Sequence, residues 1–112
     1  MAIQIDNVER EAIEELIHHI KDTLKVKKLI LFGSRARGQA SEYSDIDLLV
    51  ITEKSKKFAD RDKLADISAE INVDYGVSIS CLYYNDIEWE TGENINPLLK
   101  ENIAKEGIEL VL

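Results

Sequence analysis

Apolar residues recur at intervals of three and four positions over residues 6–25, which is typical of one face of an amphipathic helix. Asp6 and Glu9 have capping-box spacing at the start of this segment. Two continuous apolar runs follow, at residues 29–32 and 46–52, and both have the length of a buried strand. The pattern therefore predicts a helix and two strands in the first half of the chain.

The second half continues the alternation of helices and strands. The pattern predicts a helix over residues 60–73, a strand over 77–84 and a short edge strand over 108–112. A last helix is predicted to begin after Asn96 as its cap and to end at Gly107. The expected fold is therefore α/β (α+β), with a small mixed sheet flanked by helices.

Length and composition set the broad class of protein. The 112 residues suit one modest core and contain neither repeat nor linker, so 1–112 are predicted to form a single domain. No apolar window approaches the ~18 residues of a membrane span, and the acidic start does not resemble a secretory signal. A lone Cys81 excludes an internal disulfide. We therefore expect a cytoplasmic protein without membrane contact.

The net charge limits the partners that the chain can bind. At −8, the chain lacks the basic surface that a general nucleic-acid binder needs to neutralise phosphates. A negatively charged substrate could still bind if metal ions mediate the contact. General nucleic-acid binding is therefore not expected.

Two aspartates, Asp45 and Asp47, interrupt the start of the second apolar run. Residues two apart on a strand project to the same face, with Cα atoms about 7 Å apart. Two carboxylates so placed repel each other unless a cation lies between them. Mg²⁺ commonly takes one or two protein carboxylates together with substrate phosphate oxygens. The pair is therefore a candidate Mg²⁺ site.

A second candidate element lies where the first strand ends, at Gly33 and Ser34. Glycine lets the backbone approach a ligand closely, and N–H groups at a helix start bind phosphate. A helical turn over residues 34–40 would carry Arg37 about one turn further on, where it could contact the same phosphates. If the flanking strands are neighbours, the phosphate-binding turn and the carboxylates meet at one edge. That arrangement suits phosphoryl or nucleotidyl transfer.

The stretch "LFGSRARGQASEYSDIDLLV" contains Gly-Ser, ten residues, and then Asp-x-Asp. This spacing resembles the signature of the DNA polymerase β-like nucleotidyltransferase superfamily. In its small size and in the sequence around the motif, the chain resembles the stand-alone minimal nucleotidyltransferases, which are often encoded beside a HEPN-domain protein as its antitoxin. The resemblance implies a nucleotidyltransferase-like fold over nearly the whole chain.

The resemblance also implies roles for individual residues. Asp45 and Asp47 would hold Mg²⁺ on a nucleoside triphosphate, ATP being expected, while Gly33, Ser34 and Arg37 would bind its phosphates. A hydroxyl of the acceptor would attack the α-phosphate, and pyrophosphate would leave.

The family usually adds a third carboxylate from a neighbouring strand. Ser78 and Ser80 stand where that acid is expected, and Asp74 qualifies as the third catalytic carboxylate if the strand begins as early as Val73. If the strand begins at residue 77, Asp74 is a solvated residue. Arg35 has two open interpretations, a solvated surface residue or a contact to phosphate or partner.

Three functions follow, and the sequence leaves them open. The first is a Mg²⁺-dependent enzyme that transfers AMP from ATP to a hydroxyl of a HEPN-type toxin (AMPylation), as the antitoxin of a toxin–antitoxin system. The second is a catalytically degenerate antitoxin that works by binding alone. The third is a small-molecule nucleotidyltransferase. No acceptor-binding domain is visible in the sequence, so we expect the acceptor to come from a second chain or from another copy in a homo-oligomer.

Overall fold

A computed structural model describes residues 4–39, 44–53 and 58–111 of the chain. Helices and strands alternate along it for most of its length. In chain order they are α1 (Asn7–Ile20), β1 (Val26–Phe32), α2 (Ser34–Arg37), β2 (Ile46–Thr52), α3 (Phe58–Tyr75), β3 (Ile79–Asn85), α4 (Asp86–Thr91), α5 (Pro97–Glu106) and β4 (Ile108–Leu110). The predicted order is confirmed except for α4, which was not predicted.

The four strands form one mixed sheet in the order β3-β2-β1-β4. β1 runs antiparallel to both β2 and β4, whereas β2 and β3 are parallel. The two apolar runs of the sequence are thus the two central strands, and the C-terminal strand lies at an edge as predicted. Because β1 and β2 are antiparallel, the end of β1 lies beside the start of β2.

Each face of the sheet has its own apolar cluster. Leu48 and Val50 of β2 project to the face covered by α1 and α3. Leu49 and Ile51 project to the opposite face, where they pack with Ile103 of α5. Successive residues of a strand alternate between faces, so a strand covered on both faces is a continuous apolar run.

The predicted capping signals are confirmed. The Asp6 carboxylate accepts the Glu9 N–H at 2.7 Å, and the Glu9 carboxylate accepts the Asp6 N–H at 3.0 Å. At α5, the Asn96 side chain accepts from the first-turn amides, and the Gly107 N–H donates to the carbonyl of Ile103 at 2.7 Å. These contacts satisfy backbone groups that helix ends leave unpaired.

The boundary between α3 and β3 differs from the prediction. The helix continues to Tyr75, and the strand begins at Ile79 rather than at residue 77. The Asn72 side chain fixes this junction, because its amide donates to the Ile79 carbonyl at 3.1 Å and accepts the Ile79 N–H at 2.8 Å. Within the three described ranges, no helix is long and apolar enough to span a membrane.

Candidate active site

The candidate residues converge where β1 ends and β2 begins. In the register of the sheet, Asp47 lies opposite Phe32 of β1 on one side and Ser80 of β3 on the other. Gly33 follows Phe32 directly, so the turn into α2 lies beside the Asp47 side chain. The neighbouring-strand arrangement expected from the sequence is thus present.

Position 33 requires a glycine for two reasons, its backbone conformation and the close approach of the Asp47 side chain. Its backbone has φ 76° and ψ −159°, a region that is essentially restricted to glycine. A Cβ built at this position would overlap Oδ2 of Asp47. The Asp47 carboxylate therefore lies directly against the backbone of the turn, in space that only a glycine leaves open.

Asp45 is exposed, but its carboxylate has a partner. The Ser78 hydroxyl donates to Asp45 Oδ1 at 2.6 Å, from the residue that directly precedes β3. The Ile46 N–H donates to the Ser78 carbonyl at 2.8 Å, which fixes the chain immediately after Asp45. Asp45 is thus held against the start of β3.

The pKa of Asp47 is raised from its ordinary value of 3.8. Partial burial of the carboxylate is the largest cause, and the neighbouring charge of Asp45 is the second. The charge of Arg37 acts in the opposite direction and lowers the Asp47 pKa. The ionised form of Asp47 is therefore disfavoured in the folded protein, and a bound cation would stabilise it.

Arg37 lies at the rim of the site and is paired with α5. Its Nη1 contacts Glu106 Oε2 at 3.1 Å, and both side chains are 39% exposed. Its Nε donates to the Gln39 side chain at 3.3 Å. Together with Gly33 and Glu106, Arg37 lines a cavity of about 210 Å³ beside the turn. The guanidinium is thus close to the expected phosphate site, but it is engaged by a carboxylate.

Asp74 does not lie on the third strand, so the condition under which it would qualify as the third carboxylate is not met. Asp74 belongs to the last turn of α3, because the helix runs on to Tyr75. Its side chain is exposed and lines a surface cavity with Glu15 and His19 of α1. α1 and α3 cover the face of the sheet opposite to that of Asp47. The geometry therefore gives no support to Asp74 as a third carboxylate.

Arg35 matches neither interpretation given by the sequence, since it is buried. Its Nη1 contacts Glu9 Oε1 at 2.7 Å, and its Nη2 donates to the Ser44 carbonyl at 2.8 Å. Sequence reasoning missed this role because Glu9 is 26 residues away along the chain. The only local signal was the capping-box spacing of Glu9, which marks it as a structural rather than a surface carboxylate.

The donor set fits a metal that arrives with its substrate. Asp45 and Asp47 offer hard carboxylate oxygens, and Asp47 is partly buried with a raised pKa. Among the residues that the structure describes, no group of three or more His, Cys, Asp or Glu side chains is gathered as a complete metal site. Mg²⁺ tolerates such a partial set, because waters and substrate phosphates complete its octahedron.

Comparison with known proteins agrees with this geometry. Residues 13–110 match the Nucleotidyltransferase domain family. The protein MJ0604 of Methanocaldococcus jannaschii, provisionally named a protein adenylyltransferase, is 34% identical over 101 residues, which cover 88% of this chain and 94% of that protein.

Two solved structures are similar in fold. One, provisionally described as a minimal nucleotidyltransferase, has a TM-score of 0.62 and 28% identity, covering 97% of this chain and 100% of that chain. The other is a chain in the complex of tri-AMPylated Shewanella oneidensis HEPN toxin with MNT antitoxin. It has a TM-score of 0.57 and 17% identity, covering 91% of this chain and 71% of that chain. The predicted nucleotidyltransferase-like fold is confirmed, and this chain belongs to the nucleotidyltransferase domain family.

Proposed function

We propose that this chain transfers AMP from ATP to a hydroxyl of a HEPN-domain protein, and thereby acts as the antitoxin of that protein. The observation that carries the proposal is the contact of the Gly33 backbone with the Asp47 carboxylate, two residues from Asp45. This contact places a turn suited to phosphates against carboxylates suited to a divalent cation. Nucleotidyl transfer needs both features within the length of one triphosphate.

Asp45 and Asp47 would hold Mg²⁺ in the proposed reaction. When bound, Mg²⁺ neutralises charge on the phosphates and helps to orient the attacking and leaving oxygens. The hydrogen bond from Ser78 holds one oxygen of Asp45 and leaves the other oxygen for the ion. Partial burial of Asp47 strengthens its attraction for a cation, because the surrounding dielectric is lower than that of water.

Gly33, Ser34 and Arg37 would bind the phosphates that leave as pyrophosphate. The bare Gly33 backbone permits close approach, and the Ser34 hydroxyl can donate a hydrogen bond. Arg37 would exchange Glu106 for phosphate oxygens, since their exposed ion pair is worth only about 0–1 kcal/mol. The acceptor hydroxyl oxygen then bonds to the α-phosphorus as the bond to the bridging oxygen breaks, and its proton passes to solvent.

The names of the relatives support the proposed nucleotide and partner. One is named for protein adenylylation, and another is a chain of a complex between an AMPylated HEPN toxin and its antitoxin.

A second candidate function is neutralisation of the toxin by binding alone. Ser80 of β3, which lies opposite Asp47, and Ser78, which directly precedes the strand, favour it, because they stand where the family usually adds a third carboxylate. The two functions differ in their requirement for Asp45 and Asp47, since catalysis needs the metal ligands whereas binding of the toxin does not.

Metal-dependent binding of nucleotide provides the first test. At a hundredfold excess over Kd, ATP with Mg²⁺ should stabilise the wild-type fold by about 2.7 kcal/mol. The variant Asp45→Asn/Asp47→Asn should lose this gain while remaining folded. Asp62→Asn/Asp66→Asn, which changes two exposed aspartates of α3, is the charge-matched control and should keep the gain. If the Asp45/Asp47 variant kept the full stabilisation, the assignment of the site would be wrong.

A further inference from the structure

The Arg35 side chain joins three parts of the chain that are distant in sequence. Its Nη1 donates to the Gln4 carbonyl at 3.0 Å and to Glu9 Oε1 at 2.7 Å, while its Nη2 donates to the Ser44 carbonyl at 2.8 Å. The side chains of Arg35 and Glu9 are only 9% and 11% exposed. The guanidinium therefore links the N-terminal segment, α1 and the residue that precedes Asp45.

The contact with Ser44 bears directly on the direction of Asp45. The Ser44 carbonyl and the Asp45 N–H belong to the same planar peptide unit, so fixing the carbonyl also fixes the plane that leads into the Asp45 Cα. The next peptide is fixed by the hydrogen bond from the Ile46 N–H to the Ser78 carbonyl, and the carboxylate is held by the Ser78 hydroxyl. Of these three restraints on Asp45, only the one from Arg35 comes from outside the start of β3.

The same residue is part of the turn that forms the other half of the site. Arg35 follows Ser34 directly in α2. A single guanidinium thus links the phosphate-binding turn to the residue that precedes the first carboxylate. The planar fork of an arginine can donate in two directions at once, which the single ammonium of a lysine cannot do in the same geometry.

The buried pair is poorly arranged for stability alone. Arg35 Nε is buried and has no hydrogen-bond partner among the residues that the structure describes. Burying two charges costs desolvation free energy, and an unpaired buried donor adds to that cost. Neutral side chains in place of such a pair often leave a protein as stable as before. Its geometry therefore points to a role in positioning.

We propose that Arg35 is a positioning residue of the active site, which sets the orientation of Asp45 toward the metal through the Ser44–Asp45 peptide. This inference rests on the proposed function, because it assumes that Asp45 holds a metal. Its structural part is independent of that assumption, since it concerns the order of the backbone around Asp45 in the free protein.

The test compares Glu9→Gln/Arg35→Met with Glu9→Gln alone. A Gln at the third helical position still accepts the Asp6 N–H, so both variants keep the capping box. Only the double variant removes the donor to the Ser44 carbonyl. Arg10→Met, an exposed arginine on α1, is the control for loss of a positive charge. Each protein is measured by thermal melting, amide hydrogen exchange and titration of Mn²⁺ at a fixed concentration of a non-hydrolysable ATP analogue.

In the double variant, we expect near-wild-type melting and exchange of the Ile46 amide that is faster by about tenfold or more, with the amides of Leu48 to Val50 still protected. We also expect the Mn²⁺ affinity to fall by about 10- to 100-fold, the usual effect of removing a residue that orients a metal ligand. Glu9→Gln and Arg10→Met should bind Mn²⁺ as the wild type does. A folded double variant with wild-type exchange at Ile46 and wild-type Mn²⁺ affinity would overturn the inference.

Two other outcomes are informative. If the double variant does not fold, Arg35→Lys is compared with the wild type instead, because a lysine keeps the charge beside Glu9 but cannot reproduce the fork. If the wild type itself shows no metal-dependent binding of nucleotide, the proposed function fails, and with it the metal part of this inference. Hydrogen exchange of the Ile46 amide then tests only whether Arg35 orders the backbone around Asp45.

Discussion

Replacement of Gly33 by alanine tests the central contact of the site. Its backbone lies in a region where other residues carry a strain of about 1–3 kcal/mol. The new methyl group would also overlap Asp47 Oδ2, and such overpacking typically costs about 1–3 kcal/mol more. Gly33→Ala should therefore lower the free energy of unfolding by about 2–6 kcal/mol.

This free energy corresponds to a large change in melting temperature. At about 2.1 cal/mol/K per residue, the 112 residues have an unfolding entropy of roughly 0.24 kcal/mol/K, so each kcal/mol lowers Tm by about 4 °C. Gly33→Ala should thus lower Tm by roughly 8–24 °C. Gly76→Ala is the matched control, because Gly76 also has a positive φ of 65° but nothing within 4 Å of the place that its new methyl group would take. Its Tm should fall by only about 4–8 °C, from backbone strain of about 1–2 kcal/mol.

A double-mutant cycle separates the overlap from the backbone strain. Asp47→Ala removes the carboxylate that the methyl group would meet, so Gly33→Ala should cost less in that background. Residues in direct contact show coupling of about 0.5–3 kcal/mol, and we expect a value in this range from chemical denaturation. If the cost of Gly33→Ala were the same with and without the Asp47 carboxylate, the two groups would not be in contact and the proposed site would lose its basis.

Three further predictions concern the charges and hydrogen bonds of the site. Because folding raises the Asp47 pKa, the folded protein binds this proton more tightly than the unfolded chain, and ionised Asp47 destabilises the fold. Asp47→Asn should therefore raise Tm at pH 7, and this gain should disappear as the pH falls toward 3.8; a gain that does not change with pH would contradict the assigned cause. Arg37→Ala should weaken binding of ATP more than binding of AMP, as measured by calorimetric titration. Glu106→Gln should tighten binding of ATP with little change in Tm, because it frees Arg37 from its ion pair. If Arg37→Ala weakened binding of ATP and AMP equally, Arg37 would not lie at the phosphate site. Ser78→Ala should weaken Mn²⁺ binding by about tenfold through loss of its hydrogen bond to Asp45, and an unchanged Mn²⁺ titration would show that this bond does not orient the ligand.

Signals within one element predicted the local structure well. The capping residues Asp6 and Asn96 place the starts of α1 and α5, and the two continuous apolar runs are the two central strands of the sheet. The helix α4 was missed because six residues are too few to show helical periodicity. Its signal was the capping-box spacing of Asn85 and Glu88, whose reciprocal hydrogen bonds the structure contains.

The two alternatives for Asp74 have a specific physical origin. Val73 and Val77 flank Asp74 and suggest the alternation of a strand, but Val73 belongs to α3 and is 82% exposed. An exposed apolar residue at the end of a helix cannot be distinguished by type from a buried strand residue. The side-chain amide of Asn72 sets the start of β3, and this contact depends on the folded arrangement of helix and strand.

The sequence motif predicted which residues gather at the site, but it could not predict how they are held. The spacing from Gly33 to Asp47 brings the turn and the carboxylates together because the two strands are antiparallel neighbours. The partners of Arg35 and Arg37 are Glu9 and Glu106, which come from distant helices. Such pairs depend on tertiary packing, and charge patterns in a single sequence do not specify them.

The intact mass of the partner protein tests the central claim most directly. Incubation of the proposed HEPN-domain partner with ATP, Mg²⁺ and the wild-type chain should add about 329 Da per modified hydroxyl, the mass of AMP less water, with release of pyrophosphate. The variant Asp47→Ala should add no mass, while Asp74→Ala should act as the wild type does, because Asp74 lies in α3. If the partner gains no mass with the wild-type chain, although the two proteins form a complex that Asp47→Ala also forms, the transferase proposal is wrong and the chain works by binding alone.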